Sequence, residues 1–233
     1  MNRRSERPGR LAGKRNHIGF HYEGHGGQIP HRLRLDLSSN GRAISMIDEQ
    51  STEAVLSDIW TRLVRARHDR KADWRWFTVA TSASDGTPRA RTVVLRGCAP
   101  GQRRLDFHTD RRSAKYAEIV EAPRVALHFL DRRAAMQVRM LGRAEFLSET
   151  DAAAIWDRLP ASMRAEYEQA ATPGTVRCDA AAEPLRSVSG KQNFTAVQVF
   201  VTDIDWLHLG SSGHRRAAFQ LEQNNWVGRW MTP

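Results

Sequence analysis

Between residues 76 and 147 the chain breaks into short runs in which apolar residues alternate with small or polar ones, each run closed by a turn signal. Strands that short and that closely spaced, with no regular alternation of strand and long helix, pair as hairpins. They point to a small antiparallel barrel rather than a doubly wound parallel sheet. Residues 76–81 and 88–95 flank Ser84, Asp85 and Gly86, a hairpin turn. A second turn at 97–102 leads into a strand at 103–107, and Ser113 stands where it can cap a helix of about two turns that Pro123 stops. Strands at 125–130 and 135–147 are separated by Asp131, Arg132 and Arg133.

Upstream, Val55, Ile59 and Leu63 recur at helical spacing, with acidic residues early and basic ones late, so a helix is expected from Ser51 to near Lys71. Downstream, residues 149–159 and 162–170 read as helical; Thr172, Pro173 and Gly174 end the second, and a patternless loop of about twenty residues follows. The chain returns to strands at 194–202, 205–209, 214–220 and 226–231. The expected class is mainly β with short helices (α+β), with about eight strands in hairpin order.

With 233 residues the chain can bury one sizeable core, and residues 46–233 are read as a single domain behind a basic extension at 1–45. That extension holds nine Lys/Arg and three Asp/Glu, so six of the ten net positive charges lie in it. It lacks sustained periodicity and is read as disordered. His17, His21 and His25 would share one face of a helix and could hold a metal, but Gly19, Gly24, Gly26 and Gly27 argue against a helix there, and no metal site is assigned. Folded-looking sequence starts just after Met46, the expected natural start. The charge left over the body is ordinary for a protein that binds phosphates, so specific nucleic-acid binding is not expected. Cys98 and Cys178 make no disulfide framework, and no apolar run is long enough to cross a bilayer, so the expected compartment is the cytoplasm, with no membrane partner.

Candidate chemistry concentrates between Arg91 and Gly142. Arg91 and Thr109 fall at the ends of consecutive strands, and Ser113 and Lys115 at the start of a helix, where free amides and the dipole favour an anion. A planar guanidinium, two hydroxyls and an ammonium suit a phosphate, each charge-assisted bond contributing roughly 1.5 to 3 kcal/mol. In a straight strand Arg91, Val93 and Leu95 point one way while Thr92, Val94 and Arg96 point the other.

These residues resemble the FMN-binding split barrels of the pyridoxamine 5'-phosphate oxidase family. There a strand reading Arg-x-Val-Leu-Leu-Lys is followed by Tyr-Thr-Asn, Ser-Arg-Lys, Asn-Pro and Arg-Gln-Val before a glycine. Here the corresponding residues are Arg91, Thr92, Val93, Val94, Leu95 and Arg96; His108, Thr109 and Asp110; Ser113, Ala114 and Lys115; Ala122 and Pro123; and Met136, Gln137 and Val138 ahead of Gly142. Trp206, Arg216 and the stretch 226–233 match the family's C-terminal pattern. The resemblance implies an antiparallel split barrel that binds FMN as a homodimer. Arg91, Thr109, Ser113 and Lys115 would hold the phosphate, while Thr92, Val93, Val94 and Leu95 would line the isoalloxazine. Gln137 would bond the ring system, and Trp206 and Arg216 would reach in from the partner subunit. Arg96 and His108 complete the cofactor set.

The departures concern the substrate. Arg96 replaces a lysine, Ala114 an arginine, and the family's Arg-Leu-His is Ser212, Gly213 and His214. The Tyr, Arg and Ser that grip a substrate phosphate have no counterparts at matching spacing between Ile155 and Arg164. The expected activity is an FMN-dependent oxidoreductase that moves hydride between a small substrate other than pyridoxamine 5'-phosphate and flavin N5, with His214 as acid/base or substrate donor. The competing expectation is a split barrel that binds flavin or haem without turnover.

Overall fold

The computed structural model describes residues 51–176, 185–186, 190–211 and 213–233. The basic extension, its histidines, the Met46 start, Cys178 and Ser212 lie outside them. Helix α1 (Thr52–His68) begins where the cap signal stands: the Ser51 hydroxyl accepts from the Ala54 amide at 3.1 Å, and Arg65, Arg67 and His68 fill the last turn. Its buried stripe of Val55, Ile59, Trp60, Leu63 and Ala66 packs into the main core. No helix among the described residues is long and apolar enough to cross a membrane.

Strands β1 (Trp76–Ser82) and β2 (Pro88–Val94) form a hairpin in which Val79 faces Arg91 and Thr81 faces Arg89. Its turn needs glycine, because residue 86 has φ +81°, and the Asp85 carboxylate accepts from the Thr87 amide at 2.9 Å. The expected turn at 97–102 contains a short strand, β3 (Gly97–Ala99), paired with β4 (Arg104–Asp110). Then come α2 (Ala114–Glu121), β5 (Arg124–Asp131) and β6 (Met136–Phe146).

The helical region is shorter than expected: α3 (Glu149–Trp156) is followed by only one turn at α4 (Ala161–Arg164). Beyond it the chain is drawn out, the Ala170 amide donating to the Leu185 carbonyl and Gln169 bridging Arg186, so tertiary pairing overrides local helix preference. After α5 (Gly190–Asn193), the two strands expected at 194–202 and 205–209 are one, β7 (Phe194–Gly210), which then pairs with β8 (Gly213–Glu222) and through it β9 (Asn225–Met231). The polar Thr202 and Asp203 mark no break. Thr202 is the extra residue of a bulge in β7: Asp203 pairs with Leu141 and Val201 with Gly142, where a Cβ on residue 142 would come within 2.6 Å of the Phe200 carbonyl oxygen.

The strands form one mainly antiparallel sheet in the order β2-β1-β5-β6-β7-β4-β3, with β8 and β9 extending from β7, and the sheet curls into a half-barrel. The expected antiparallel split barrel is therefore the observed fold. Alternation separates two faces. The inner face carries the core, including Phe77, Val79, Val93, Phe107, Leu127, Phe129, Val138, Val197 and Trp206. A smaller cluster of Ala152, Trp156, Leu159 and Phe194, with Tyr167 against it, is built around α3 and the start of β7.

Candidate functional site

At one end of the inner face the four residues expected to hold a phosphate come together. Lys115 Nζ donates to Thr109 Oγ1 at 3.1 Å and to Ser113 Oγ at 3.4 Å, and the two hydroxyls are 3.2 Å apart. The turn between β4 and α2 makes this possible: the Ser113 amide and hydroxyl both donate to the Asp110 carbonyl. The Asp110 carboxylate is held by Arg112 through Nε at 3.0 Å and Nη2 at 2.7 Å. Ser113 stands at the N-cap position of α2, yet its hydroxyl makes no capping bond, so the first-turn amides of the helix have no side-chain partner. An uncapped helix start beside an ammonium and two hydroxyls suits an anion.

Arg91 belongs to the same cluster. Burial first, and then the positive charge of Arg91, holds the Lys115 ammonium below the ordinary lysine range, opposed by the charges of Asp110 and Glu118. Sequence reading did not find the groups that fix Arg91: its Nη2 donates to Glu118 Oε2 at 2.8 Å, its Nη1 donates to Thr81 Oγ1, and Thr81 donates in turn to Glu118. Arg89 Nη1 reaches Glu118 Oε1 at 3.2 Å. Burial works to raise the Glu118 pKa, but the bonds from Thr81 and Arg91 outweigh it and hold the carboxyl below its usual range. With the Asp110–Arg112 pair counted as neutral, Arg89, Arg91 and Lys115 face one further carboxylate among the described residues, Glu118. Two positive charges remain, which is what a phosphate dianion neutralises.

The residues expected around a flavin ring divide between places. Val93, Leu95 and Trp206 face the core, the last two 0% and 2% exposed. Trp206 lies within this chain's own core, its Nε1 buried without a partner, and in the register it falls on the opposite face from Arg216. Thr92, Val94, Gln137, Arg216 and His214 share the outer face. Gln137 Oε1 is 3.1 Å from His128 Nε2, and Arg216 and Arg139 each donate to Asp205 Oδ2 at 2.6 Å. Burial opposes ionisation of Asp205, yet the bonds from Arg216 and Arg139 hold its pKa below the usual range. His214 is exposed at the start of β8. The same face carries a groove of ≈ 470 Å³ between Thr78, His128, Arg139, Leu141 and Gln220, and around it Trp76, Leu130, Leu141 and Leu209 are exposed. β2 lies at the end of the sheet order, and among the described residues β1 is its one strand partner, so its other edge is unpaired there.

Arg96 and His108 occupy a third position, near Tyr167. His108 packs edge-on against Phe194, and burial, then the charge of Arg96, pushes its pKa down to about 4. Its Nδ1 has no partner. Arg96 is half-buried, which lowers its pKa, while Tyr167 favours its charge and Arg75 opposes it. Among the described residues no group of three or more His, Cys, Asp or Glu could hold a metal.

The fold and this cluster define a class: split barrels with a cationic, hydroxyl-lined anchor at one end of the inner face. The description "Pyridoxamine 5'-phosphate oxidase, FMN-binding domain" matches residues 57–148. A pyridoxine/pyridoxamine 5'-phosphate oxidase of Salinibacter ruber is 37% identical over 84 residues, 36% of this chain and 38% of the relative, so that match spans under half of the relative's length. One from Polynucleobacter asymbioticus is 27% identical over 67% of this chain and 78% of its own. Among solved structures, a pyridoxamine 5'-phosphate oxidase-related, FMN binding protein from Nostoc punctiforme superposes with a TM-score of 0.63 at 24% identity, covering 76% of this chain and 96% of that one. PhzG from Burkholderia lata, solved with tetrahydrophenazine-1-carboxylic acid, also scores 0.63 at 18% identity, over 84% and 100%. Residues 57–148 thus match the FMN-binding domain of the pyridoxamine 5'-phosphate oxidase family, and the fold is that of its split barrels.

Proposed function

We propose that this protein binds FMN and works as an FMN-dependent oxidoreductase on a small substrate other than pyridoxamine 5'-phosphate. The observation that carries the reading is the convergence of Lys115, Thr109 and Ser113 with Arg91 at an uncapped helix start. The phosphate would sit there, and the outer edge of β2 from Thr92 to Val94 would offer backbone groups to a planar polar ring. Bound FMN supplies a hydride acceptor at N5. The chain's part is to hold the phosphate with Arg91 and Lys115, bond the ring through Gln137, and move a substrate proton at the His214 imidazole.

The outer face supports a homodimer. Exposed Trp76, Leu130, Leu141 and Leu209 surround both acidic and basic groups, a mixture that can complement itself across a two-fold axis. In that assembly Arg216 would lie between subunits. The substrate reading is supported by α3 and α4, where Arg164 turns inward: its Nε donates to the Leu159 carbonyl at 2.8 Å, and its guanidinium lies over the Trp156 ring.

The test is the visible spectrum of the purified protein and its titration with FMN, followed by reduction with a nicotinamide donor and reoxidation by oxygen. Turnover supports the oxidoreductase, whereas tight FMN that no donor reduces supports the binding-only alternative. A colourless protein that takes up no FMN overturns the proposal.

A further inference from the structure

We propose that Glu118 is a positioning residue of the phosphate clamp, a carboxylate on α2 that holds Arg91 and Arg89 of β2 where the anion is received. The inference rests on the FMN reading above and adds a residue that the family motifs did not supply. Glu118 is buried, with its side chain 6% exposed, and both oxygens are engaged: Oε2 by Arg91 and Thr81, Oε1 by Arg89. Arg91 thereby has Nη1 fixed on Thr81 and Nη2 on Glu118, which among the described residues engages two of its five N–H donors.

Two opposing effects follow from a carboxylate this close to an anion site. Its charge repels a phosphate, which would make Glu118 a competitor. It also anchors two guanidiniums that would otherwise repel each other and Lys115, and it helps keep Lys115 charged. The geometry favours the anchor. Glu118 projects from a helix and receives the Thr81 hydroxyl from β1 as well as the arginines from β2, so it ties three elements together.

FMN and riboflavin share a ring and differ in the phosphate, so together they separate positioning from general support. Titration of both into the full chain, with Glu118→Gln and Thr81→Val variants alongside, reads the effect. For Glu118→Gln the FMN dissociation constant should rise about tenfold or more, the loss of one charge-assisted bond, with riboflavin unchanged. Thr81→Val should show a smaller loss of the same selectivity, and it carries the test if Glu118→Gln does not fold. FMN binding that is unchanged or tighter overturns the inference, as does equal weakening of both flavins. A wild-type protein that fails to bind FMN removes the proposed function and this inference with it. Wild-type binding with selectively unaffected variants removes this inference alone.

Discussion

Lowering the pH should destabilise this protein through His108 in a measurable and separable way. The imidazole lies against Phe194, with ring centroids 5.0 Å apart, its Nδ1 buried without a partner and the Arg96 guanidinium beside it. Burial, and then that charge, lower its pKa from 6.5 to about 4. The unfolded chain takes up the proton near 6.5 while the folded chain refuses it until about 4. Stability from the neutral ring is therefore complete above the unfolded value and is lost as pH falls through the interval. Each tenfold rise in proton concentration there costs about 1.4 kcal/mol, so between neutrality and about pH 5 the loss is about 2 kcal/mol. Urea unfolding of wild type and His108→Phe across that range isolates the effect, because the carboxylates titrate in both. The wild type should lose about 2 kcal/mol more than the variant. Parallel pH profiles would refute the burial argument.

The other predictions concern the anchor and the outer face. Arg91→Ala and Lys115→Ala should each weaken FMN by about ten- to a hundredfold in a fluorescence titration while leaving the thermal unfolding transition cooperative, and unchanged affinity would show the wrong clamp was chosen. Of the two forms of Lys115 only the protonated one attracts phosphate, so wild-type affinity should fall as pH rises through its pKa, which burial and Arg91 set below the lysine value of 10.5; Lys115→Arg should lack that limb. Leu141→Lys, at an exposed position of the outer face, should shift light scattering from dimer to monomer, and a monomeric wild type would remove the interface from the account.

Much of the inner anchor was legible because its members sit close in sequence: Thr109, Ser113 and Lys115 span one strand end, one turn and one helix start. The hairpin order of strands β1, β2, β5 and β6 was legible for the same reason, each pair being set by local turn chemistry. What escaped was set by register. Thr81 and Glu118 look ordinary in sequence, yet the turn at Gly86 places Thr81 opposite Arg89, and Glu118 lies one helical turn after Lys115. Those two spacings together were the available signal. The strand runs through Thr202 and Asp203 because a bulge in β7, with Thr202 as its extra residue, absorbs the irregularity without ending the pairing with β6. Trp206 shows the reverse limit: alternation along a strand is easy to read, but which of the two faces becomes the core depends on long-range pairing with β6 and β8.

The most direct measurement is a crystal structure of the protein grown with FMN. The account predicts the phosphate oxygens within hydrogen-bonding reach of the Arg91 guanidinium, the Thr109 and Ser113 hydroxyls and the Lys115 ammonium, at the start of α2. A flavin whose phosphate lies elsewhere, with those four groups still bonded to the partners they have here, would contradict it.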